Sequence, residues 1–127
     1  MDGTEQTVRL ELIDCPEKKQ AFGSKVKQFA SDLCFGTNVS LIFNGKKKYD
    51  GKKKYDRNKR LIAEVLLPNG KILNKELVKN GLGWHFKKYS NDENYAQLEV
   101  EAQNNKIGIW SEPNPIAPWD WRKSKKK

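Results

Sequence analysis

The apolar residues of this chain change period along its length, and that change constrains the fold more than any other feature. Residues 7–13 read Thr-Val-Arg-Leu-Glu-Leu-Ile, with Val8, Leu10 and Leu12 on one face and Arg9 and Glu11 on the other. Such alternation is what a half-buried strand requires. Pro16 ends it, since proline has no N–H to give to a ladder. From about Gly23 to Cys34 the spacing lengthens, and Val26, Phe29, Ala30, Leu33 and Cys34 follow the i, i+3, i+4 stripe of an amphipathic helix. Gly36 lies just past its end as a stop.

Further elements follow in the same mixture. Residues 39–43 and 60–67 read as strands, and Pro68-Asn69-Gly70 is a hairpin signal leading into a return at 71–73. Asn74 is placed to cap a short helix containing Leu77 and Val78, stopped by Gly81. A last helix is expected from near Ser90, where Ser90-Asn91-Asp92-Glu93 has capping-box spacing. It carries Tyr95, Leu98 and Ala102 inward and stops by Gly108. Residues 113–121, rich in proline and tryptophan, read as an ordered arm held to the body by Trp119 and Trp121, with a loose Lys/Arg end beyond. Strands and helices interleaved in 127 residues make one α+β domain, with a core at 1–112 and an arm and basic tail at 113–127.

Charge narrows the partner. The net charge is +9, and residues 46–60 alone carry nine basic groups against Asp50 and Asp56. Clustered positive charge is the electrostatic footprint of a polyanion. Lys54 and Arg57 in this cluster are therefore candidate nucleic-acid contacts. A second excess, over residues 119–127, reads as a solvated, frayed tail. The cluster also contains an oddity: Gly45-Lys-Lys-Lys-Tyr-Asp50 is repeated at once as residues 51–56. Six residues in tandem are not a solenoid period, and a surface connection between two strands absorbs them at small entropic cost.

Other chemistries drop out. Cys15 and Cys34 are the only cysteines and His85 is the only histidine, so no CxxC or HxxxH spacing exists for zinc. A nuclease relying on paired histidines is excluded for the same reason. Cys34 falls in the apolar helical stripe as a buried thiol, and nothing in the sequence pairs it with Cys15. No apolar run approaches the roughly 20 residues needed to span a membrane, and the chain does not open with an export-signal pattern.

The stretch with most chemistry in it is Arg9-Leu-Glu-Leu-Ile-Asp-Cys-Pro-Glu17. A guanidinium sits in the strand, and two carboxylates flank a proline turn at its end. Carboxylates suit Ca²⁺, a carboxylate beside water serves as a general base, and arginine offers phosphate a planar fork. Surface ion pairs would use the same residues, and spacing alone does not separate the two readings. Five extended residues span roughly 16 Å, so Arg9 and Asp14 share a ligand only if the strand's twist brings them together.

With these residues in view, the chain resembles the staphylococcal nuclease (thermonuclease-like) family over nearly its whole length. The matching stretches are Val8-Arg9-Leu10 through Ile13-Asp14-Cys15-Pro16-Glu17, Phe22-Gly23, and Asp56-Arg57-Asn58-Lys59-Arg60. Asn-Lys-Glu-Leu-Val-Lys-Asn-Gly at 74–81, Glu101-Ala102 and Gly108-Ile109-Trp110 complete them. The resemblance implies an OB-type five-stranded barrel with three helices, and Ca²⁺-dependent hydrolysis of DNA and RNA that leaves 3′-phosphates. Carried over by position, it implies that Arg9 and Arg60 hold the phosphate and that Glu17 is the general base. Asp14 is then a metal ligand and the Cys15 carbonyl a second. Tyr89 resembles an aromatic that packs near the bound nucleotide, with ordinary surface packing as the other reading.

Two departures bear on these expectations. The family carries an Asp-Gly-Asp-Thr motif on a preceding strand, whereas this chain starts Met1-Asp2-Gly3-Thr4, which corresponds to the hairpin turn after that motif. Two amino-terminal barrel strands and one carboxylate ligand are thus expected to be missing. Asn58-Lys59 also replaces the family's aromatic-glycine pair before the second arginine. An open strand edge at residues 7–13 templates pairing with another chain. Self-association through strand pairing or exchange of the Trp/Pro arm is therefore expected unless a separate segment fills the gap. The alternative is a closed packing in which the tail with Trp119 and Trp121 covers the edge. The rival function is a nucleic-acid-binding module on the same fold that does not cleave.

Overall fold

The computed structural model describes residues 7–43, 55, 58, 60–87 and 92–125. The tandem hexapeptide apart from Tyr55, the amino-terminal Asp-Gly-Thr, and the candidates Lys54, Arg57 and Tyr89 lie outside the described residues.

Five strands form two small sheets. In the first, β4 (Leu61–Leu66) is central, flanked by β1 (Val8–Leu10) in parallel and β3 (Ser40–Ile42) antiparallel. Register pairs Val8 with Leu61 and Leu41 with Val65. A strand covered on both faces reads as a largely apolar run, and β4 buries Leu61, Ala63 and Val65, with Glu64 as its one buried charged residue. The second sheet pairs β2 (Ile13–Asp14) antiparallel with β5 (Trp84–His85). A closed five-stranded barrel is not seen among the described residues.

The expected continuous strand at 7–13 is therefore two strands. It breaks because Leu12 adopts a left-handed conformation, φ 73°, which costs an L-residue roughly 1–2 kcal/mol. Three hydrogen bonds hold the break. The Glu11 N–H donates to Ala63 O (2.9 Å), the Phe86 N–H to Leu12 O (2.9 Å), and the Asn74 amide to Glu11 O (2.9 Å). Alternation of residue type carries no sign of it.

Helix α1 (Gly23–Cys34) occupies the expected span. Its stripe of Val26, Phe29, Ala30, Leu33 and Cys34 packs half-buried against a core of Ile13, Val65, Leu67, Leu73, Leu77, Val78, Leu82 and Tyr95. The turn at Pro68–Gly70 forms as expected, with the Leu67 N–H donating to Lys71 O (2.8 Å). Its return is a single bridge, Leu66 to Ile72, because helix α2 (Leu73–Lys79) starts immediately. Asn74 consequently lies inside α2, not at its cap. It is wholly buried, and its side chain ties the helix to β4 and to the Leu12 turn.

Helix α3 (Glu93–Asn104) is capped by Asp92, whose carboxylate accepts from the Asn94 (2.9 Å) and Tyr95 (3.2 Å) N–H groups. The cap is thus later than the expected Ser90. Gly81 and Gly108 let α2 and α3 end against one another, since a Cβ on Gly81 would stand 2.1 Å from Ile107 O. The last correction is the tail. Residues 118–125 form helix α4 (Pro118–Lys125), so the described residues contain four α-helices instead of three, and Arg122, Lys123 and Lys125 of the basic tail are helical. No helix among them is long and apolar enough to cross a membrane.

Candidate active site

The left-handed turn at Leu12 builds the site. It breaks the extended strand between β1 and β2, and Arg9 and Asp14 come to line one cleft. Arg9 Nη1 donates to Leu10 O (2.9 Å) and Ile13 O (3.1 Å), and the guanidinium lies 6.0 Å from the centre of the Phe86 ring. Both contacts hold the fork in place, since a cation over an aromatic face is attracted by its quadrupole.

A cleft of about 510 Å³ opens beside it, walled by Arg9, Asp14, Cys15, Glu17, Asn58 and Arg60. Four of the residues singled out for phosphate, base and metal roles thus face one space, with Cys15 between two of them. Asp14 is buried in the β2–β5 pairing opposite Trp84, and Glu17 is half-exposed on the turn after Pro16. Arg60 enters half-buried from the residue before β4.

Gln20 fixes the Glu17 turn. Its side-chain oxygen accepts from the Glu17 N–H (3.0 Å), and its amide donates to Ile116 O (2.6 Å) in the carboxy-terminal arm. Gly23 is required here for close approach: a Cβ there would stand 2.1 Å from Glu17 O. The turn therefore packs directly on the start of α1.

The Cys15 thiol takes no part as a thiolate. Burial, followed by the adjacent Asp14 charge, pushes it up to about 12. Its sulfur points inward, 3.4 Å from where a Cβ on Gly83 would stand. Both cysteines are free thiols, and Cys34 is half-buried. Other buried ionisable groups are structural. Glu64 accepts a short hydrogen bond from Tyr95 Oη, and Glu99 accepts from the His85 N–H (2.9 Å) and pairs with Lys87. Burial, then the Lys87 charge, holds His85 below its ordinary value, and burial, then the hydrogen bond to Glu64, raises Tyr95.

One residue of the cleft escaped the reading of the sequence. Arg122 of α4 reaches both carboxylates, with Nη2 2.6 Å from Asp14 Oδ2 and Nη1 2.5 Å from Glu17 Oε2. A weaker contact runs from Nη1 to Asp14 Oδ1 at 3.4 Å. The hydrogen bond to Asp14 raises the guanidinium's already high pKa. Trp119, one turn earlier on α4, sets this position. It stacks on Phe86 (5.3 Å, 17°) and meets Trp84 edge-on (5.5 Å, 74°). The signal was present as Pro118 opening a helix with Trp119 and Arg122 three apart, on one face. The lysines around them masked it as a frayed tail.

As a cation site the cleft offers hard oxygens at Asp14 and the Cys15 backbone, with Glu17 beside them, a donor chemistry that suits Ca²⁺. No group of three or more His, Cys, Asp or Glu able to hold a metal occurs among the described residues. Arg122 occupies the two carboxylates that are there.

The comparisons with known proteins follow this geometry. The family model described as "Staphylococcal nuclease homologue" matches residues 7–112, ending before α4. An "Uncharacterized endonuclease" of Haemophilus influenzae is 44% identical over 119 residues, covering 94% of this chain and 61% of that protein. The "Micrococcal nuclease" of Shigella flexneri is 34% identical over 129 residues, covering 95% of this chain and 71% of its own length. An "Uncharacterized endonuclease" of Escherichia coli is 31% identical over 118 residues, with 93% and 71% covered. This chain thus spans about three fifths of the Haemophilus influenzae protein.

Proposed function

The chain belongs to the staphylococcal nuclease family, and on that footing we propose that it is a nuclease hydrolysing DNA or RNA phosphodiester bonds in this cleft. The observation that carries the reading is the convergence of Arg9, Asp14, Glu17 and Arg60 on one space. We also infer that its two sheets belong to the OB-type five-stranded barrel that the family implies.

In this reading Arg9 and Arg60 engage the phosphate oxygens and stabilise the charge that develops as water adds to phosphorus. Arg9 needs little reorganisation, being held already by two carbonyls and the Phe86 ring. Glu17 accepts the proton of the attacking water. The P–O5′ bond breaks, leaving a 3′-phosphate on one fragment and, once that oxygen is protonated, a 5′-hydroxyl on the other. Asp14 and the Cys15 carbonyl are the groups that would hold Ca²⁺, which when bound supplies Lewis-acid charge beside the phosphate. Lys54, Arg57 and Tyr89 are proposed as further contacts to the nucleic acid.

A second reading, a nucleic-acid-binding module that does not cleave, has one observation in its favour: both carboxylates already have a guanidinium partner. Incubating the protein with single-stranded DNA, with Ca²⁺ or with chelator, separates the two. Fragments that appear only with Ca²⁺ support the nuclease, and binding without fragments supports the module. Glu17→Gln and Arg60→Ala should each slow cleavage by on the order of 10²-fold or more. Unchanged rates in either variant would remove that residue from the mechanism.

A further inference from the structure

Arg122 lies beyond the matched family region, which ends at residue 112, and it contacts both carboxylates of the cleft. Its fork meets Asp14 unevenly through both terminal nitrogens, Nη2 at 2.6 Å and Nη1 at 3.4 Å. Nη1 also reaches Glu17 at 2.5 Å, so one guanidinium bridges the two carboxylates. We propose that Arg122 is a positioning residue that occupies the cation site of the cleft, so that a divalent ion must displace it to bind. This rests on the reading of the cleft as a metal-dependent nuclease site.

The argument is one of charge and space. The carboxylate oxygen of Asp14 that Arg122 contacts belongs to a buried group, so water does little to screen what approaches it. A dication at hydrogen-bonding range of Asp14 and a guanidinium at the same range would repel each other across a few ångströms. The two are mutually exclusive partners of the same oxygens. Arg122 also offsets the mutual repulsion of the like charges of Asp14 and Glu17. The pairing is released without unfolding the helix. Trp119 holds α4 against Phe86 and Trp84, whereas the Arg122 side chain is about two-fifths exposed and has a long flexible stem by which to swing out.

The consequence is a sign that a scaffolding role does not share. If Arg122 merely kept the cleft in shape, removing it would loosen the carboxylates and weaken metal binding. If it competes with the metal, removing it must tighten binding. The test is Ca²⁺ binding by isothermal titration calorimetry on the full chain and on Arg122→Gln and Arg122→Lys. Arg122→Gln should bind on the order of tenfold more tightly, a factor that corresponds to about 1.4 kcal/mol. Arg122→Lys keeps the charge and should stay within a few-fold of the parent. Guanidinium chloride added to Arg122→Gln at low concentration should weaken Ca²⁺ binding more than KCl of equal ionic strength does, because it returns the missing competitor.

Equal or weaker binding by Arg122→Gln overturns the proposal, as does the absence of Ca²⁺ binding by every variant. Loss of cooperative unfolding in Arg122→Gln also overturns it, because the arginine would then be part of the fold. Cleavage of single-stranded DNA at saturating Ca²⁺ is scored separately. Tighter binding without fragments would leave this inference standing and remove the nuclease reading.

Discussion

Asn74→Ala is the substitution that most directly tests how this fold holds its site. The Asn74 side chain is wholly buried, accepts from the Val65 N–H (3.0 Å), and donates to the carbonyls of Glu11 (2.9 Å) and Ala63 (3.3 Å). Truncation leaves the Val65 N–H buried without its acceptor, which costs about 1–3 kcal/mol. Loss of the donor to Glu11 O adds about 0.5–1.5 kcal/mol. The Ala63 carbonyl loses less, because it already accepts from the Glu11 N–H at 2.9 Å. A destabilisation of about 2–4 kcal/mol follows, a large part of the 5–15 kcal/mol that holds a typical domain together. Urea denaturation followed by tryptophan fluorescence measures it as a lower midpoint at unchanged slope. Because Glu11 borders the left-handed Leu12, the variant should also lose activity beyond its loss of folded protein. A change below about 0.5 kcal/mol, the scale of an ordinary surface substitution, would refute the claim that Asn74 clamps the turn.

Three other outcomes are expected. Gly23→Ala places a Cβ 2.1 Å from Glu17 O, so both the melting temperature and the cleavage rate should fall; a variant with parental values would show that the turn yields freely. The Cys15 thiol, raised from 9.0 to about 12 in the folded chain, stabilises the fold fully below pH 9 and loses that contribution as pH climbs toward about 12. Urea midpoints should therefore fall over that window for the parent and fall less for Cys15→Ala; parallel curves would exclude the thiol as the cause. Among the described residues β1 pairs only with β4, so its outer edge is proposed to mediate self-association, which light scattering over a dilution series would detect as a mass that falls toward one chain. A constant monomer mass would end that idea.

What the sequence determined by itself was whatever neighbouring residues decide. Helix α1 runs Gly23–Cys34 as its apolar stripe requires, because a stripe recurs within one turn and is visible locally. The turn at Pro68–Gly70 and the inward placement of Tyr95 and Ala102 were legible for the same reason. The set Arg9, Asp14, Glu17 and Arg60 came from the family resemblance, residue by residue, and the fold brings all four to one cleft. Tertiary structure alone decided how they meet. The break at Leu12 is imposed by bonds from Ala63, Asn74 and Phe86, none of them near it in sequence, against the local preference of a leucine. Asn74 has the composition of a cap and became a clamp because α2 starts two residues earlier than such a cap requires, with Ile72 at the cap and the Asn74 amide in the core. Arg122 meets Asp14 across 108 positions of chain. Spacing within a segment carries no information about such a pairing, which exists only because Trp119 finds Phe86 and Trp84 when the fold closes.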